Sequence, residues 1–261
     1  MTRDRLFGSL PAEGRFLVIR GERCGWLTPA AASALGKLPE AWLRAFHFTK
    51  DAVTLALPQE NAAANAFLAA TAEALFEAKL LPDWRGELLD VLDENCEPTG
   101  LVLERSAFRL LGLVTRAVYA VAASPDGSLW LGCRSSKKRI DPGLFDTLAS
   151  GLIAAGETPA VAVRRETAEE AGLAEPGVTF LEPPVVYSVS RAVPEGWMRE
   201  VTYAYRGATA AGITPFPRDG EVEKFLRADA KTLREMQACG LLTYETEAAL
   251  QALHLLSAPQ P

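Results

Sequence analysis

Five charged residues and two glycines in one short stretch have a spacing that suits a divalent-cation site. Residues 151–173 read GLIAAGETPAVAVRRETAEEAGL, which sets Glu157, Arg165, Glu166, Glu169 and Glu170 between Gly151 and Gly172. Thr158 followed by Pro159 is a helix start, a capping hydroxyl before a proline at the first helical position. Gly172 supplies a stop just past the last turn. At about 100° per residue, Glu166, Glu169 and Glu170 fall within roughly a 100° arc of that helix. Beside them Ala160, Val163, Thr167 and Ala171 make a narrow stripe suited to a core. Like charges at i+3 and i+4 from Glu166 weaken an isolated helix. Such acids make either a solvated face or a ligand set for Mg²⁺ or Mn²⁺, cations that take oxygen donors and bridge to phosphates.

The elements that must position this helix follow from the periodicity. Within 112–261, strands over 118–123 and 128–133 flank Asp126-Gly127, a strong hairpin signal. Further strands are expected over 179–190, 199–205 and 221–226, and helices over 230–239 and 243–256. That is an α/β domain with the acidic helix packed on a mixed sheet. Residues 1–111 read as a smaller α+β domain. It has strands at 16–19 and 24–27, helices at 28–38 and 39–46, a strand over 48–57, and an alanine-rich helix over 61–80. Leu68, Ala72, Leu75 and Phe76 share one face of that last helix. A small strand, a loop at 96–100 and a helix over 104–111 complete the domain. No long linker separates the two.

Composition narrows the partners. The 261 residues are 49% hydrophobic and 23% charged, as in an ordinary globular protein. A net charge of −6 argues against a nucleic-acid backbone or an anionic membrane as partner. A phosphorylated small molecule remains open, because a bound cation supplies the positive charge. Cys24, Cys96, Cys133 and Cys239 show no C-x-x-C pairing and are expected to be reduced, buried and structural. The first sixteen residues lack the apolar run of a signal peptide, and no stretch approaches ~18 apolar residues. The expectation is a cytoplasmic monomer or homodimer.

Taken whole, G-x5-E-x7-R-E-T-x-E-E-x-G-L resembles the signature of the Nudix hydrolases, with Thr167 in place of a bulky aliphatic residue as the one departure. The resemblance implies an α/β/α sandwich with a mixed sheet. It also implies hydrolysis of a diphosphate linked to another moiety, by attack of water on phosphorus. Glu166, Glu169 and Glu170 would hold the metal, Gly151 would offer its carbonyl, and Glu157 would pair with Arg165 to brace the loop against the helix. Trp84-Arg85-Gly86-Glu87-Leu88, Glu104-Arg105-Ser106-Ala107, LWLGCRSSKKRIDPGLFDTLASG before the signature and DGEVEKF after it are similar to one Nudix subfamily. That subfamily carries an N-terminal extension, is related to thiamine pyrophosphokinase, and includes enzymes that take a phosphate from thiamine diphosphate or its oxidised analogues. Ser150 stands where the group usually has a second glycine.

Other residues extend the candidate site. Arg134, Lys137 and Lys138 are placed to bind diphosphate oxygens, arginine being suited to bidentate contact. Glu221 and Glu223 are spaced to share one face of a strand, both toward the metal or both away. Glu221 is favoured as a further ligand or general base, completing a catalytic set with Arg165, Glu166, Glu169 and Glu170. Asp146 fits either a support behind the ligands or an ordinary strand-end acid. His47 and His254 lack ligand spacing, which speaks against the isomerase chemistry that needs a cysteine and a histidine-held metal. The alternatives are a hydrolase of nucleotide diphosphates such as ADP-ribose, or a silent binding module of the same fold. A binding module has no need for three mutually repelling glutamates.

Overall fold

Short apolar runs punctuated by glycine and proline build the N-terminal part of the chain in the computed structural model, which describes residues 10–11, 13–194 and 196–257. Two compact units emerge. The first takes in the described residues up to Thr115 with Ala154–Gly156 and Ser188–Val201, and the second takes in the rest.

In the first unit, β1 (Arg15–Ile19) and β2 (Glu22–Leu27) form an antiparallel hairpin around Arg20-Gly21. Thr28 caps α1 (Pro29–Leu35), accepting from the Ala31 N–H at 3.2 Å, and α2 (Glu40–Leu43) follows Pro39. The single strand expected over 48–57 is instead a hairpin of β3 (Phe46–Phe48) and β4 (Ala52–Leu55). Thr49 closes its turn, because both its N–H and its hydroxyl bond to Ala52. β4 runs parallel to β1, so the four-stranded sheet β2-β1-β4-β3 is mixed. Helix α3 (Asn61–Glu77) buries Ala64, Leu68, Ala72 and Leu75, whereas Phe76 stays exposed with its ring centroid 5.7 Å from that of Trp84.

The two patterns at 84–88 and 104–107 meet at the hairpin of β5 (Leu88–Leu92) and β6 (Pro98–Glu104), where Leu88 lies opposite Glu104. Arg105 pairs with Glu87 at 2.6 Å. The buried Glu104 carboxylate accepts from the Arg85 N–H at 2.9 Å and the Ser106 hydroxyl at 3.2 Å. Glu104 therefore ends a strand, and α4 spans only Ala107–Leu111 instead of the expected 104–111. The segment just before Glu157 belongs to this unit too. Its Ala155 N–H donates to the Leu88 carbonyl at 2.8 Å, and its Gly156 N–H to Asp90 Oδ2 at 3.1 Å.

The second unit is organised on an eight-stranded sheet. In chain order come β7 (Val114–Ala123), β8 (Leu129–Arg134), β9 (Phe145–Asp146), β10 (Ala149–Leu152), α5 (Pro159–Ala171), β11 (Val178–Phe180), β12 (Val185–Val193), β13 (Gly196–Thr209), β14 (Val222–Ala228), α6 (Ala230–Ala238) and α7 (Tyr244–Ala252). The strand order is β11-β13-β7-β8-β14, with β10 on β7, β12 on β13 and β9 on β8; β7, β12 and β13 run across the division between units. The strand expected over 179–190 is split into β11 and β12, since Pro183 and Pro184 bring no N–H to a ladder.

Alternation along β7 sets the layers. Ala117, Tyr119 and Val121 enter one core with Leu233, Met236, Ala249 and Leu250 of α6 and α7. Val118, Ala120 and Ala122 enter another with Ala162, Val163 and Ala171 of α5. Helices on both faces of one sheet make an α/β/α sandwich. Burying Val163 contributes about 1.5–3 kcal/mol, against roughly 0.2–0.5 kcal/mol lost per like-charge pair on the same helix. Packing therefore holds the acids in a helix that would be weak alone. Cys24 and Cys133 are buried as expected, but Cys96 is half-buried and Cys239 exposed; all four are free thiols. Burial pushes the Cys24 thiol up to about 12 and that of Cys96 to about 11. Among the described residues no helix is long and apolar enough to cross a membrane.

Candidate active site

The helix start and stop expected for α5 are both present. Thr158 accepts from the Val161 N–H at 3.3 Å, Pro159 is first in the helix, and Gly172 ends it at φ 66°. A side chain at Gly172 would also meet the Phe216 ring, so this glycine answers both to backbone conformation and to close approach. Thr167, the departure from an aliphatic residue, is fully buried. Its hydroxyl donates to the Val163 carbonyl at 2.6 Å, which satisfies the polar group inside the core.

Arg165 is the hub of the loop–helix junction. Its Nε and Nη2 donate to the two oxygens of Glu157, each at 2.9 Å, and Nη2 also to the Leu152 carbonyl at 3.1 Å. Nη1 reaches Glu166 at 2.7 Å and Glu169 at 3.1 Å. The Glu157 hydrogen bonds chiefly, with Glu166 adding, hold this guanidinium above its ordinary value against the opposing effect of burial. Gly151 sits where any Cβ would fall on the Glu166 carboxylate.

Glu170 is the buried member of the acid set, at 7% exposure, and accepts from the Ser150 N–H at 2.9 Å. Burial, and then the nearby Asp146 and Glu166 charges, push its carboxyl well above the usual range, while Ser150 and Lys138 act the other way. The ligand atoms of Glu170, Asp219 and Glu221 all lie within 4.8 Å of one another. The geometry thus separates the expected triad, since Glu166 and Glu169 accept from Arg165 and Glu170 groups with two acids from a later loop. Spacing in the sequence gives Asp219 no place in the site. Its Oδ1 accepts from the Glu221 N–H at 2.8 Å, so one tight turn presents both carboxylates. Phe216, whose N–H donates to the Ala171 carbonyl at 3.1 Å, anchors the preceding part of that loop to the end of α5.

Two expectations need correction. Glu221 and Glu223 do not share a fate, because Glu221 precedes β14 and the register with β8 shifts between Val222 and Lys224. The irregularity re-aims the side chains. Glu223 accepts from the Ser136 N–H at 2.7 Å, while Glu221 joins the acid group and pairs with Lys138. Arg134 is half-buried and turned inward, donating to Asp146 at 3.0 Å and to the Ile140 carbonyl at 3.0 Å. Burial alone would lower that guanidinium, but Asp146 more than offsets it. Its donors brace the strand ends.

An all-oxygen donor set around a buried carboxylate that faces other carboxylates fits a hard divalent cation. The missing Cβ at Gly151 lets the Glu166 carboxylate lie against the strand. An α/β/α sandwich that presents these acids from one capped helix and one loop is the arrangement of a Nudix-type hydrolase domain. Residues 113–240 match the family model described as the NUDIX domain. Residues 4–115 match a model described as a domain of unknown function, DUF4743. The chain is similar to an uncharacterized Nudix hydrolase of Streptomyces coelicolor, 34% identical over 86 residues, covering 33% of this chain and 47% of the relative. It is similar also to one of Pseudomonas aeruginosa, 34% identical over 103 residues, covering 38% of this chain and 60% of the relative. The chain thus spans about half the length of these curated relatives. A crystal structure from Deinococcus radiodurans aligns with 24% identity and a TM-score of 0.48 over 64% of this chain and 99% of that one.

Proposed function

We propose that residues 112–261 form a metal-dependent hydrolase of the diphosphate bond in a small organic diphosphate, with residues 1–111 as an extension domain. Buried Glu170, grouped with Asp219 and Glu221, carries this reading. Glu170 and Asp219 would hold Mg²⁺ or Mn²⁺, with Glu166, Glu169 and the Gly151 carbonyl as the further ligands that the family resemblance implies, and Arg165 with Glu157 holds the helix against the loop. A cation bound there would lower the pKa of the attacking water and offset charge on the phosphoryl oxygens. Glu221, exposed like Asp219, takes the proton of the water, which adds to the terminal phosphorus as the bridging P–O bond breaks. The products are a monophosphate and inorganic phosphate. Free thiols and an acidic composition accord with action in the cytoplasm, as a monomer or homodimer.

Lys137 and Lys138 bind the diphosphate oxygens. Lys138→Met is expected to raise KM about tenfold with little change in kcat, the scale of one charge-assisted contact of about 1.5 kcal/mol. Its pairing with Glu221 is partly exposed and contributes little by itself. Steady-state kinetics on the best substrate decide the point, and an unaltered KM would remove Lys138 from the binding role.

For the substrate, the patterns at 84–88 and 104–107 favour thiamine diphosphate or its oxidised analogues, converted to the monophosphate. The test is phosphate release with Mg²⁺ or Mn²⁺ over thiamine diphosphate, its oxidised analogues, ADP-ribose, dinucleotide cofactors and nucleoside triphosphates. Metal-dependent turnover selective for a thiamine diphosphate is the expected result. Turnover of nucleotides alone would discard the thiamine assignment and keep the chemistry. No turnover of any compound, with metal binding intact, would replace the hydrolase by a binding module.

A further inference from the structure

Asp146 is 8% exposed, and both of its carboxylate oxygens are fully engaged. Oδ1 accepts from the Thr246 hydroxyl at 2.7 Å and the Thr147 N–H at 2.8 Å. Oδ2 accepts from Arg134 Nη1 at 3.0 Å and the Ser150 hydroxyl at 3.2 Å. Ser150 in turn gives its backbone N–H to Glu170. The peptide that orients the buried glutamate is therefore pinned through its own side chain to Asp146. Thr246, wholly buried on α7, fixes Asp146 from a helix that lies beyond the matched Nudix segment.

We infer that Asp146 is a positioning residue, which sets Ser150 and through it the Glu170 carboxylate for the divalent cation, with Thr246 as its anchor. The inference rests on the metal site proposed above. A glycine at 150 would leave this peptide free to turn, at a cost in chain entropy and in alignment. Serine exchanges that freedom for a hydroxyl tied to a carboxylate that is itself held by a second helix. Partners of this kind, behind the groups that touch the metal, set ligand orientation, and their loss typically weakens metal affinity about 10–100-fold.

The test is Mn²⁺ binding to the full-length protein, read as free Mn²⁺ by electron paramagnetic resonance, alongside thermal melting and the Mn²⁺ concentration for half-maximal turnover. Asp146→Asn is expected to weaken Mn²⁺ about tenfold or more, with Ser150→Ala and Thr246→Val weakening it by roughly several-fold. Thr246→Ser, which restores the hydroxyl, returns binding close to the parent's. The half-activating Mn²⁺ concentration should rise by the same factors while KM at saturating metal holds. Should Asp146→Asn fail to fold, the two milder variants decide the matter. If those fold and bind Mn²⁺ like the parent while Glu170→Gln does not, the positioning role is wrong and the metal site stands. If Glu170→Gln itself binds Mn²⁺ like the parent, the metal site falls and the inference with it.

Discussion

Glu170→Gln is expected to lose metal-dependent turnover by roughly 10²–10³-fold, the scale of removing one preorganised electrostatic group from an active site. In chelator the same variant should melt at or above the parent temperature. The two outcomes share one cause. Glu170 is buried and faces Asp146 and Glu166, so without a cation its charge is a cost to the folded protein. A neutral amide of the same shape removes that cost and can still accept from the Ser150 N–H. Adding Mn²⁺ should raise the melting temperature of the parent and leave the variant nearly unmoved, since only a state that binds a ligand is stabilised by it. Glu169→Gln should also lose turnover, but its exposed carboxylate offers no comparable gain in melting. Parent-like rates in both variants would end the assignment of these acids to a metal.

Local chemistry was legible in the sequence, and cross-chain meetings were not. Thr158, Pro159 and Gly172 mark the ends of α5 through capping and handedness, which act within a few residues. Glu157 and Arg165 do pair, as the resemblance implies, because one short loop and two helical turns separate them. The near-continuous apolar run of β7 goes with two buried faces, since a strand with helices on both sides has no polar face to show. Asp219 escaped notice because Asp-Gly signals a turn whatever the aspartate faces, and its approach to Glu170 depends on Phe216 docking the loop on α5. A strict period of two placed Glu221 and Glu223 together, and a single irregularity in β14 separates them. The contact between Asp146 and Thr246 joins residues a hundred positions apart. No spacing rule reaches that far; only the packing of α7 against the sheet brings them into contact.

Arg165 is the other position where a single substitution should have a large effect, and there the loss should reach stability as well as rate. Its planar fork serves Glu157 with two parallel bonds and still reaches Leu152, Glu166 and Glu169. Lysine carries the same charge on a point donor and cannot reproduce that geometry. Arg165→Lys should therefore lose about 10²-fold in kcat/KM, as expected when catalytic groups shift by about an ångström. Arg165→Met additionally leaves the nearly buried Glu157 carboxylate without this partner and lets Glu166 and Glu169 repel one another. Breaking a fully buried pair costs about 3–5 kcal/mol, and with Arg165 about a third exposed we expect roughly 2–3 kcal/mol. That corresponds to a fall of roughly 5–10 °C in melting temperature. Since part of the loss is uncompensated negative charge, Mn²⁺ should narrow the gap between Arg165→Met and the parent, as should high salt through screening. A lysine variant with parent activity and melting would mean that charge alone suffices. A methionine variant whose deficit ignores both Mn²⁺ and salt would mean that Arg165 acts by packing, with no electrostatic tie to the acids around it.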